Sequence, residues 1–250
     1  MKKQLLDVIF SSGKRKNVLL LLQDEPKNME ILLNSLETTR QSLLPQIRIL
    51  EDHHLISHYD DTYELTTIGK LVVDEMNPLL STCEVLDGDI DYWGNHKLDF
   101  IPPHLFERIN EIRGCGVINP HPTNMFTLDT TTTMANFRSR RNLMIYSFYH
   151  TDMPAMFSKI TQDNISTCLI VTQPVLDKIR TDYYADFGEL IKSNLFNLFV
   201  YPKELGFAAL VCNDFNILMR LLSTNGNHNF TRVRCSTPSA LEWGKELFEW

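Results

Sequence analysis

Residues 28–66 carry the stretch NMEILLNSLETTRQSLLPQIRILEDHHLISHYDDTYELT. Its spacing predicts a helix over 28–36 with Asn28 as N-cap, a short break, and a second helix over 39–53. Two β-prone arms, 55–59 and 63–66, then flank a polar turn of Asp60, Asp61 and Thr62. A further helix with a basic start, 14–22, precedes them. Helices separated by a tight turn and followed by a hairpin are typical of a winged helix-turn-helix domain.

The second helix of this motif, 39–53, is the candidate recognition helix. Its apolar residues Leu43, Ile47 and Leu50 recur at helical spacing and therefore define the buried face. Arg and Gln side chains on the outward or flanking surfaces are suited to paired hydrogen bonds with guanine and adenine edges, and Thr or Ser at the helix start can meet a phosphate or a base. The candidate DNA-contacting residues are Thr39, Arg40, Gln41, Ser42, Gln46 and Arg48 on this helix, His58 on the hairpin, and Lys14, Arg15 and Lys16 as a phosphate-positioning cluster. The alternative is that these side chains merely solvate a surface helix.

Charge limits how any DNA contact could be made. The chain has a net charge of −7, from 24 Lys plus Arg against 31 Asp plus Glu, and residues 1–80 contain nine basic and twelve acidic side chains. No molecule-wide basic field attracts nucleic acid, so binding needs a local patch. Asp60 and Asp61 at the hairpin tip would repel a phosphate, and we expect that tip to stay clear of the DNA backbone.

Length and composition describe an ordinary globular chain. It has 250 residues, 43% of them apolar and 22% charged, which is enough apolar material for two cores. The longest apolar run in the first part, Val18–Leu22, is far shorter than the roughly 20 residues of a membrane helix, so we expect a cytoplasmic protein without a membrane partner. Five widely spaced cysteines form no C-x-x-C pair and predict reduced, mostly buried thiols.

The chain divides into two predicted domains, 1–86 and 87–250. The first ends in a linker helix over 66–86, which Pro78 should kink or split. One copy of a winged helix contacts only half of a palindromic site, so a homodimer is expected. Its candidate contacts are Leu5, Leu6 and Ile9 of the first helix and Leu71, Val72, Met76, Leu79 and Leu80 of the linker helix. The same apolar residues could instead pack into the protomer's own core.

The second domain alternates apolar β-prone runs with helical patterns, which predicts an α/β domain. The predicted strands are 115–118, 143–148, 168–172, 195–201, 207–212, 217–222 and 231–235, and the predicted helices are 104–113, 134–142, 154–160, 173–179, 187–194 and 238–250. The aromatic residues Tyr146, Phe148, Tyr183, Tyr184 and Tyr201 could line a ligand pocket at the sheet edge, although aromatic side chains at such positions are most often core.

Two parts of the chain resemble one kind of regulator. Residues 10–76, with KRKNVLLLLQDEPKNMEILLNSLETTRQSLLPQIRILEDHHLISHYDDTYELTTIGKLVV, resemble archaeal ArsR-like winged helix-turn-helix regulators. DYWGNHKLDFIPPHLFERINEIRGCGVI from Asp91 and TRVRCSTPSALEWGKELFEW from Thr231 are similar to the C-terminal domain of the methanogenesis-regulator type. The resemblance implies a homodimeric transcription regulator with an effector or assembly domain. Metal sensing through cysteines on the recognition helix is not expected, because residues 39–53 contain none.

Motifs of other chemistries are missing from the sequence. It contains no phosphate-binding glycine loop, no G-x-S-x-G elbow, no H-E-x-x-H and no H-x-K-x-x-x-x-D pattern, so we expect no catalytic residue, no cofactor and no enzyme activity. His53, His54 and His58 lie close together but lack a fourth ligand, and no metal is expected. Arg138, Arg140 and Arg141 could bind an anion or solvate a helix end.

The sequence therefore predicts an α+β winged helix-turn-helix domain followed by an α/β effector domain. Double-stranded DNA is the expected partner, and the second domain is expected to bind a small-molecule effector or a protein. Two other classes stay open: a winged helix that binds another protein, and a ligand-sensing enzyme.

Overall fold

The computed structural model describes residues 4–124 and 127–250. The described chain forms two compact units, which divide after Leu80. This division lies six residues before the 86/87 boundary of the sequence analysis, because Val85 is buried in the core of the second unit. Each unit has its own apolar core.

The helices of the first unit are α1 (Leu5–Phe10), α2 (Gly13–Leu21), α3 (Met29–Ser35) and α4 (Arg40–Asp52). The Asn28 side chain caps α3 by accepting a 2.9 Å hydrogen bond from the Ile31 N–H, as its position predicts. Leu43, Ile47 and Leu50 are fully buried, which confirms the inner face of α4. Met29 and Leu32 supply the buried face of α3, and Ile31 is exposed.

A small antiparallel sheet completes this unit. Its strands β1 (Lys27–Asn28), β2 (Ile56–Tyr59) and β3 (Thr62–Leu65) lie in the order β1-β3-β2. Strands β2 and β3 form the predicted hairpin, with Tyr59 opposite Thr62, and Asp60 turns the chain with a positive φ of 53°. Helix, turn, helix and hairpin thus occur in the predicted order.

Helix α5 (Thr67–Asp87) follows the hairpin. Pro78 lies inside it without splitting it, contrary to one of the two predicted outcomes. The division between the two units falls within this helix.

The second unit is built on a mixed sheet, as the fold class predicts in outline. Its strands are β4 (Gly116–Ile118), β5 (Arg141–Tyr146), β6 (Ser166–Thr172), β7 (Phe196–Tyr201), β8 (Phe207–Cys212), β9 (Ile217–Leu221) and β10 (Arg232–Cys235). Within the described residues they form one sheet in the order β4-β10-β9-β8-β5-β6-β7. Strands β5, β6 and β7 are parallel, whereas β8, β9, β10 and β4 are joined by antiparallel pairing. All seven predicted strands are confirmed, each with both ends within two residues of the prediction.

Helices cover both faces of this sheet. They are α6 (Ile90–Asn95), α7 (Pro103–Phe106), α8 (Thr130–Asn136), α9 (Met153–Gln162), α10 (Gln173–Asp182), α11 (Tyr184–Leu190) and α12 (Pro238–Glu249), with 3-10 turns at Ile109–Ile112 and Pro122–Asn124. Leu143 and Ile145 belong to one apolar cluster and Met144 and Tyr146 to another, because successive strand residues point to opposite faces. Trp243 of α12 fills the first cluster, and Phe157 of α9 fills the second.

Several predictions for this unit are wrong. The helix expected over 104–113 is divided into α7 and the 3-10 turn Ile109–Ile112, and the helix expected over 187–194 is α11, which begins at Tyr184 and ends at Leu190. The helix expected over 134–142 is α8, which begins at Thr130 and ends at Asn136, because the Asp129 side chain caps its N-terminus. Cys115 and Cys235 are bonded to each other instead of reduced. Cys115 precedes β4 and Cys235 ends β10. The antiparallel register places Arg234 opposite Gly116 and so brings the two cysteines together.

The described residues include no helix whose length and apolar content would let it cross a bilayer.

Candidate functional site

The outward face of α4 is the first candidate surface. Arg40, Gln41 and Arg48 are exposed there, as the helical spacing predicts, while Ser42 and Gln46 are partly buried. Thr39 precedes the helix with extended backbone angles and is itself exposed. The three exposed side chains could all reach a DNA groove, and their amide and guanidinium groups are the types that hydrogen-bond base edges.

Two contacts attach the start of α2 to α4. The Lys14 ammonium donates to the Ser42 hydroxyl. The Arg15 guanidinium donates from Nη1 to Gln46 Oε1 at 2.7 Å and from Nε to the Val8 carbonyl. These bonds fix α4 against the rest of the unit.

The same contacts change the roles proposed for two predicted site residues. Arg15 is only 8% exposed, so it lies in the interior and is not placed for a phosphate contact. The side-chain oxygen of Gln46 accepts a hydrogen bond from Arg15. Both therefore position α4. Of the predicted basic cluster, Lys14 and Lys16 are partly exposed, and Lys14 already donates to Ser42.

The hairpin is linked to α4 by side-chain pairs of its own. Arg40 Nη2 lies 3.5 Å from Asp61 Oδ1, so the turn and the first residue of α4 form an exposed ion pair. His58 packs on Tyr63 with ring centroids 5.4 Å apart, and its Nδ1 meets the Glu51 carboxylate. Burial raises the pKa of the Tyr63 hydroxyl. His58 is thus held beside the C-terminal part of α4 while its ring stays partly exposed.

The candidate dimer residues separate into two groups. Ile9 and Met76 are buried in the protomer's own core and cannot contact a second copy, whereas Val72 and Leu80 are partly buried against that core. Leu5, Leu6, Leu71 and Leu79 are exposed, Leu6, Leu71 and Leu79 by 69%, 65% and 54%. These four leucines are therefore the candidate dimer residues that remain exposed on the protomer.

The histidines beside α4 do not gather into a metal site. His53 Nδ1 lies 2.8 Å from the Ile49 carbonyl, and His58 faces Glu51. Across the described residues, no three His, Cys, Asp or Glu side chains come together in a way that could hold a metal ion.

A cavity of about 440 Å³ in the second unit is the second candidate site. It lies on the sheet face that carries Met144 and Tyr146, over strands β5, β8, β9 and β10 and beside α8. Its apolar wall consists of Leu128, Tyr146, Phe148, Met156, Ala209, Val211, Leu218 and Phe230, and its polar wall includes Asp129, Thr132, Asn136, Arg220, His228 and Arg232. A concave, mainly apolar cavity with a few convergent polar groups is the usual form of a small-molecule site.

Strand register explains why two arginines meet in this cavity. Met219 and Val233 are paired across β9 and β10 and belong to the cluster on the other face. Arg220 and Arg232 follow and precede them by one residue, so both side chains point to the cavity face. Arg232 is 6% exposed.

The charge of Arg232 is balanced inside the protein. Its Nη1 lies 3.4 Å from Asp129 Oδ2 and its Nη2 donates to the Thr127 carbonyl at 3.0 Å. Asp129 also pairs with Arg234 at 3.0 Å and accepts a 2.8 Å bond from the Thr132 N–H. Burial opposes ionisation of Asp129, but the Thr132 hydrogen bonds and the two arginines outweigh it and hold its pKa below the usual value.

Arg220 has a different environment. Its Nε donates to the Asn229 carbonyl at 2.5 Å, and its guanidinium carbon lies 4.7 Å from the Phe148 ring centroid and 4.9 Å from that of Phe230. Burial, with a smaller contribution from Arg232, lowers the pKa of Arg220 to about 10. Burial and Arg220 also lower the pKa of His228, so this imidazole is neutral at pH 7.

Only two residues of this cavity were predicted from the sequence. Tyr146 and Phe148 line the cavity, as the pocket interpretation predicted, but Tyr183, Tyr184 and Tyr201 do not. Tyr183 stacks on Tyr149 instead, with ring centroids 4.4 Å apart. Arg220 and Arg232 are among the lining residues that were not predicted, and the available signal was a basic residue inside the runs ILMRL and RVRC.

Comparisons with known proteins match the two parts of the chain separately. Residues 4–87 match the family model described as the HVO_A0261 N-terminal domain. Residues 129–250 match the model described as the middle domain of the methanogenesis regulatory protein FilR1. The matched ranges hold α1 to α5 in the first case and α8 to α12 with β5 to β10 in the second.

Similarity to whole proteins is distant. The chain is 23% identical over 248 residues to the methanogenesis regulatory protein FilR1 of Methanothrix harundinacea (strain 6Ac), covering 97% of this chain and 55% of the relative, so it spans about half the length of that protein. Among solved structures, TrmBL2, an archaeal chromatin protein with a novel mode of DNA binding, covers 98% of this chain and 94% of its own at 14% identity with a TM-score of 0.42. The methyltransferase RosA of Streptomyces davawensis covers 78% of this chain and 62% of its own at 12% identity, with a TM-score of 0.24. Scores this low carry no argument, and the chain's similarity to known proteins therefore rests on the two family models and FilR1.

Proposed function

We propose that this chain is a DNA-binding transcription regulator that contacts DNA through α4 and is controlled through its second unit. The exposed hydrogen-bonding face of α4, held in place by Arg15 and Lys14, is the observation that carries the proposal. The similarity to FilR1, whose name describes a regulatory protein, supports the same function. The proposal requires no catalytic residue.

Base contacts are assigned to Arg40, Gln41 and Arg48, and phosphate contacts to Lys16 with Thr39 at the helix start. Binding to DNA would exchange the Arg40 ion pair with Asp61 for a base or phosphate. That exchange costs little, because both partners are exposed and such pairs contribute about 1 kcal/mol or less. The net negative charge of the unit makes one module a weak binder, which is the reason for proposing a homodimer on a two-part site.

The test is a salt-matched fluorescence anisotropy titration with fragments of the gene's own upstream region and with random DNA of equal length. We expect Arg40→Ala and Gln41→Ala each to reduce discrimination between the two by about 1 to 3 kcal/mol, the usual value of one bidentate base contact. Arg180→Ala, an exposed arginine on α10, is the matched control and should change nothing. Equal binding of both DNAs by wild type, or unchanged discrimination in both variants, contradicts the proposal.

Protein binding through α4 is the second candidate function. The acidic balance of residues 1–80 favours it, since nine basic and twelve acidic side chains attract DNA poorly. In that case the upstream fragments would not bind at any salt concentration, and Arg40→Ala would instead weaken capture of a protein partner.

A further inference from the structure

The Arg220 guanidinium has no carboxylate counter-ion among the described residues. No carboxylate lies within 4.0 Å of its guanidinium in the part of the chain that the structure describes, and its only hydrogen bond there uses Nε. The two Nη groups, with four N–H donors, have no acceptor among these residues. Arg220 is partly buried, and a charge that is partly withdrawn from water is stabilised when an anion pairs with it.

The neighbours of Arg220 are aromatic or cationic. Phe148 and Phe230 lie against its guanidinium, His228 is neutral at pH 7, and Arg232 adds a second positive charge. Asp129 is the one carboxylate among the charged cavity residues described, and it pairs with Arg232 and Arg234. Arg220 and Arg232 against Asp129 leave the cavity wall with one net positive charge.

The rest of the cavity is suited to an apolar body. Phe148 and Phe230 flank the guanidinium, and Leu128, Met156, Val211 and Leu218 continue the wall. A volume of about 440 Å³ lies within the usual range for small-molecule sites, about 300 to 1,000 Å³. The cavity thus offers a forked donor pair beside an apolar surface.

We propose that this cavity binds an organic monoanion, with its carboxylate or phosphate paired with Arg220 and its apolar body against Phe148, Phe230 and Leu218. A planar guanidinium with two unused Nη groups can meet two oxygens of one anionic group at once. The inference rests on the proposed function only in treating the second unit as the regulatory one. Binding itself is measured without DNA, so the two proposals can fail separately.

The experiment uses the full chain and 8-anilinonaphthalene-1-sulfonate, an organic monoanion that fluoresces in apolar sites. N-phenyl-1-naphthylamine has the same rings without the charge and serves as the matched neutral probe. We expect saturable binding of the anionic probe, and Arg220→Gln should weaken it by about tenfold or more, as expected for one charge-assisted hydrogen bond. Binding of the neutral probe should change little.

Displacement distinguishes the two anion types from each other and from the neutral body. 3-Phenylpropanoate or phenyl phosphate should displace the anionic probe, and 3-phenylpropanamide should not. The stronger of the two acids identifies whether the cavity prefers a carboxylate or a phosphate. Inorganic phosphate should be weaker than either, because it lacks the apolar body.

Two further variants control for folding. Arg220→Lys keeps a positive charge and should retain more affinity than Arg220→Gln, whereas Arg180→Gln, on the exposed face of α10, should match wild type. Equal affinity of wild type and Arg220→Gln overturns the proposal. Displacement by the amide as strong as by the acids, or no displacement by either acid, also overturns it.

Discussion

Arg15 and Lys16 are adjacent on α2, but they lie in different environments. Arg15 is buried and hydrogen-bonded to Gln46 and Val8, whereas Lys16 is partly exposed. A guanidinium can satisfy two carbonyl acceptors from one side chain, which suits it to this interior position better than an ammonium. The local sequence KRK cannot show which of its three charges is turned inward.

We expect Arg15→Ala and Lys16→Ala to have opposite signatures. Arg15→Ala leaves Gln46 Oε1 and the Val8 carbonyl without their donor and should lower the free energy of unfolding by about 1 to 3 kcal/mol. Lys16→Ala should leave stability unchanged and reduce the salt slope of DNA binding by about 1. Urea unfolding and anisotropy titrations at several salt concentrations measure the two effects. If Arg15→Ala has wild-type stability and a reduced salt slope of DNA binding, Arg15 contacts DNA and the assigned interior role is wrong.

Asp129 gives the second unit a predictable pH dependence. Its folded pKa lies below the ordinary value of 3.8, so its ionised form stabilises the fold above that pH, and this contribution is lost as the pH falls through the folded pKa. Protonation removes the charge that balances buried Arg232 and weakens the N-cap of α8. Asp129→Asn should therefore be less stable than wild type at pH 6 and approach it as the pH drops.

Urea unfolding of both proteins between pH 6 and pH 3 measures this difference. Asp99→Asn, an exposed residue, is the control and should follow the wild-type curve. A difference between Asp129→Asn and wild type that stays constant over the whole range would show that the carboxylate charge does not contribute.

At the scale of elements, the start of α5 packs directly on the backbone of Leu55, which lies between α4 and β2. A Cβ on Gly69 would lie 1.9 Å from the Leu55 carbonyl oxygen, and the Gly69 N–H donates to Thr66 Oγ1 at 3.0 Å. The Thr66 N–H in turn donates to the same Leu55 carbonyl at 3.1 Å. Only glycine allows the helix this close to that backbone.

Gly69→Ala should therefore lower the free energy of unfolding by about 2 kcal/mol or more, because either α5 or the backbone at Leu55 must move. Gly13→Ala is the matched control in the same unit. A Cβ there meets nothing within 4 Å at the first residue of α2, so alanine should be neutral or stabilise by up to about 1 kcal/mol. Urea unfolding followed by circular dichroism compares them, and equal stability of the two variants would contradict the assigned contact.

Elements that follow from short-range patterns were predictable from the sequence. The inner face of α4 follows from Leu43, Ile47 and Leu50, since one helical period relates them. The end of α8 was misjudged because a polar residue such as Asn142 is typical of a helix end. In the structure Asn142 is buried in β5 and donates to the Asn136 carbonyl. The pairing of Cys115 with Cys235 and the meeting of Arg220 with Arg232 depend on strand order. No local pattern encodes that order.

At the scale of the whole molecule, the exposed apolar side of α5 is the feature that the fold of one chain leaves unexplained. Ile68, Leu71 and Leu79 are exposed, and their spacing places them along one side of the helix. Leu6 of α1 is exposed as well. Val73 and Met76 take the opposite side into the core, so the helix is apolar on both sides. An apolar stripe of this kind is typical of an interface.

We expect the protein to be a dimer at micromolar concentration and the double variant Leu71→Glu, Leu79→Glu to be a monomer of 29.0 kDa. Both leucines are exposed, so glutamate should leave the folded protomer intact, while four new negative charges would meet at a two-fold contact. Because each monomer then contacts only half of the DNA site, affinity for the upstream DNA should fall. The preference of one DNA-binding unit for its half-site over random DNA should change little. Light scattering coupled to size exclusion measures the mass, and Ile191→Glu, an exposed apolar residue outside α5, is the control and should stay dimeric. A monomeric wild type, with and without DNA, or a double variant that remains a dimer, would remove α5 from the interface.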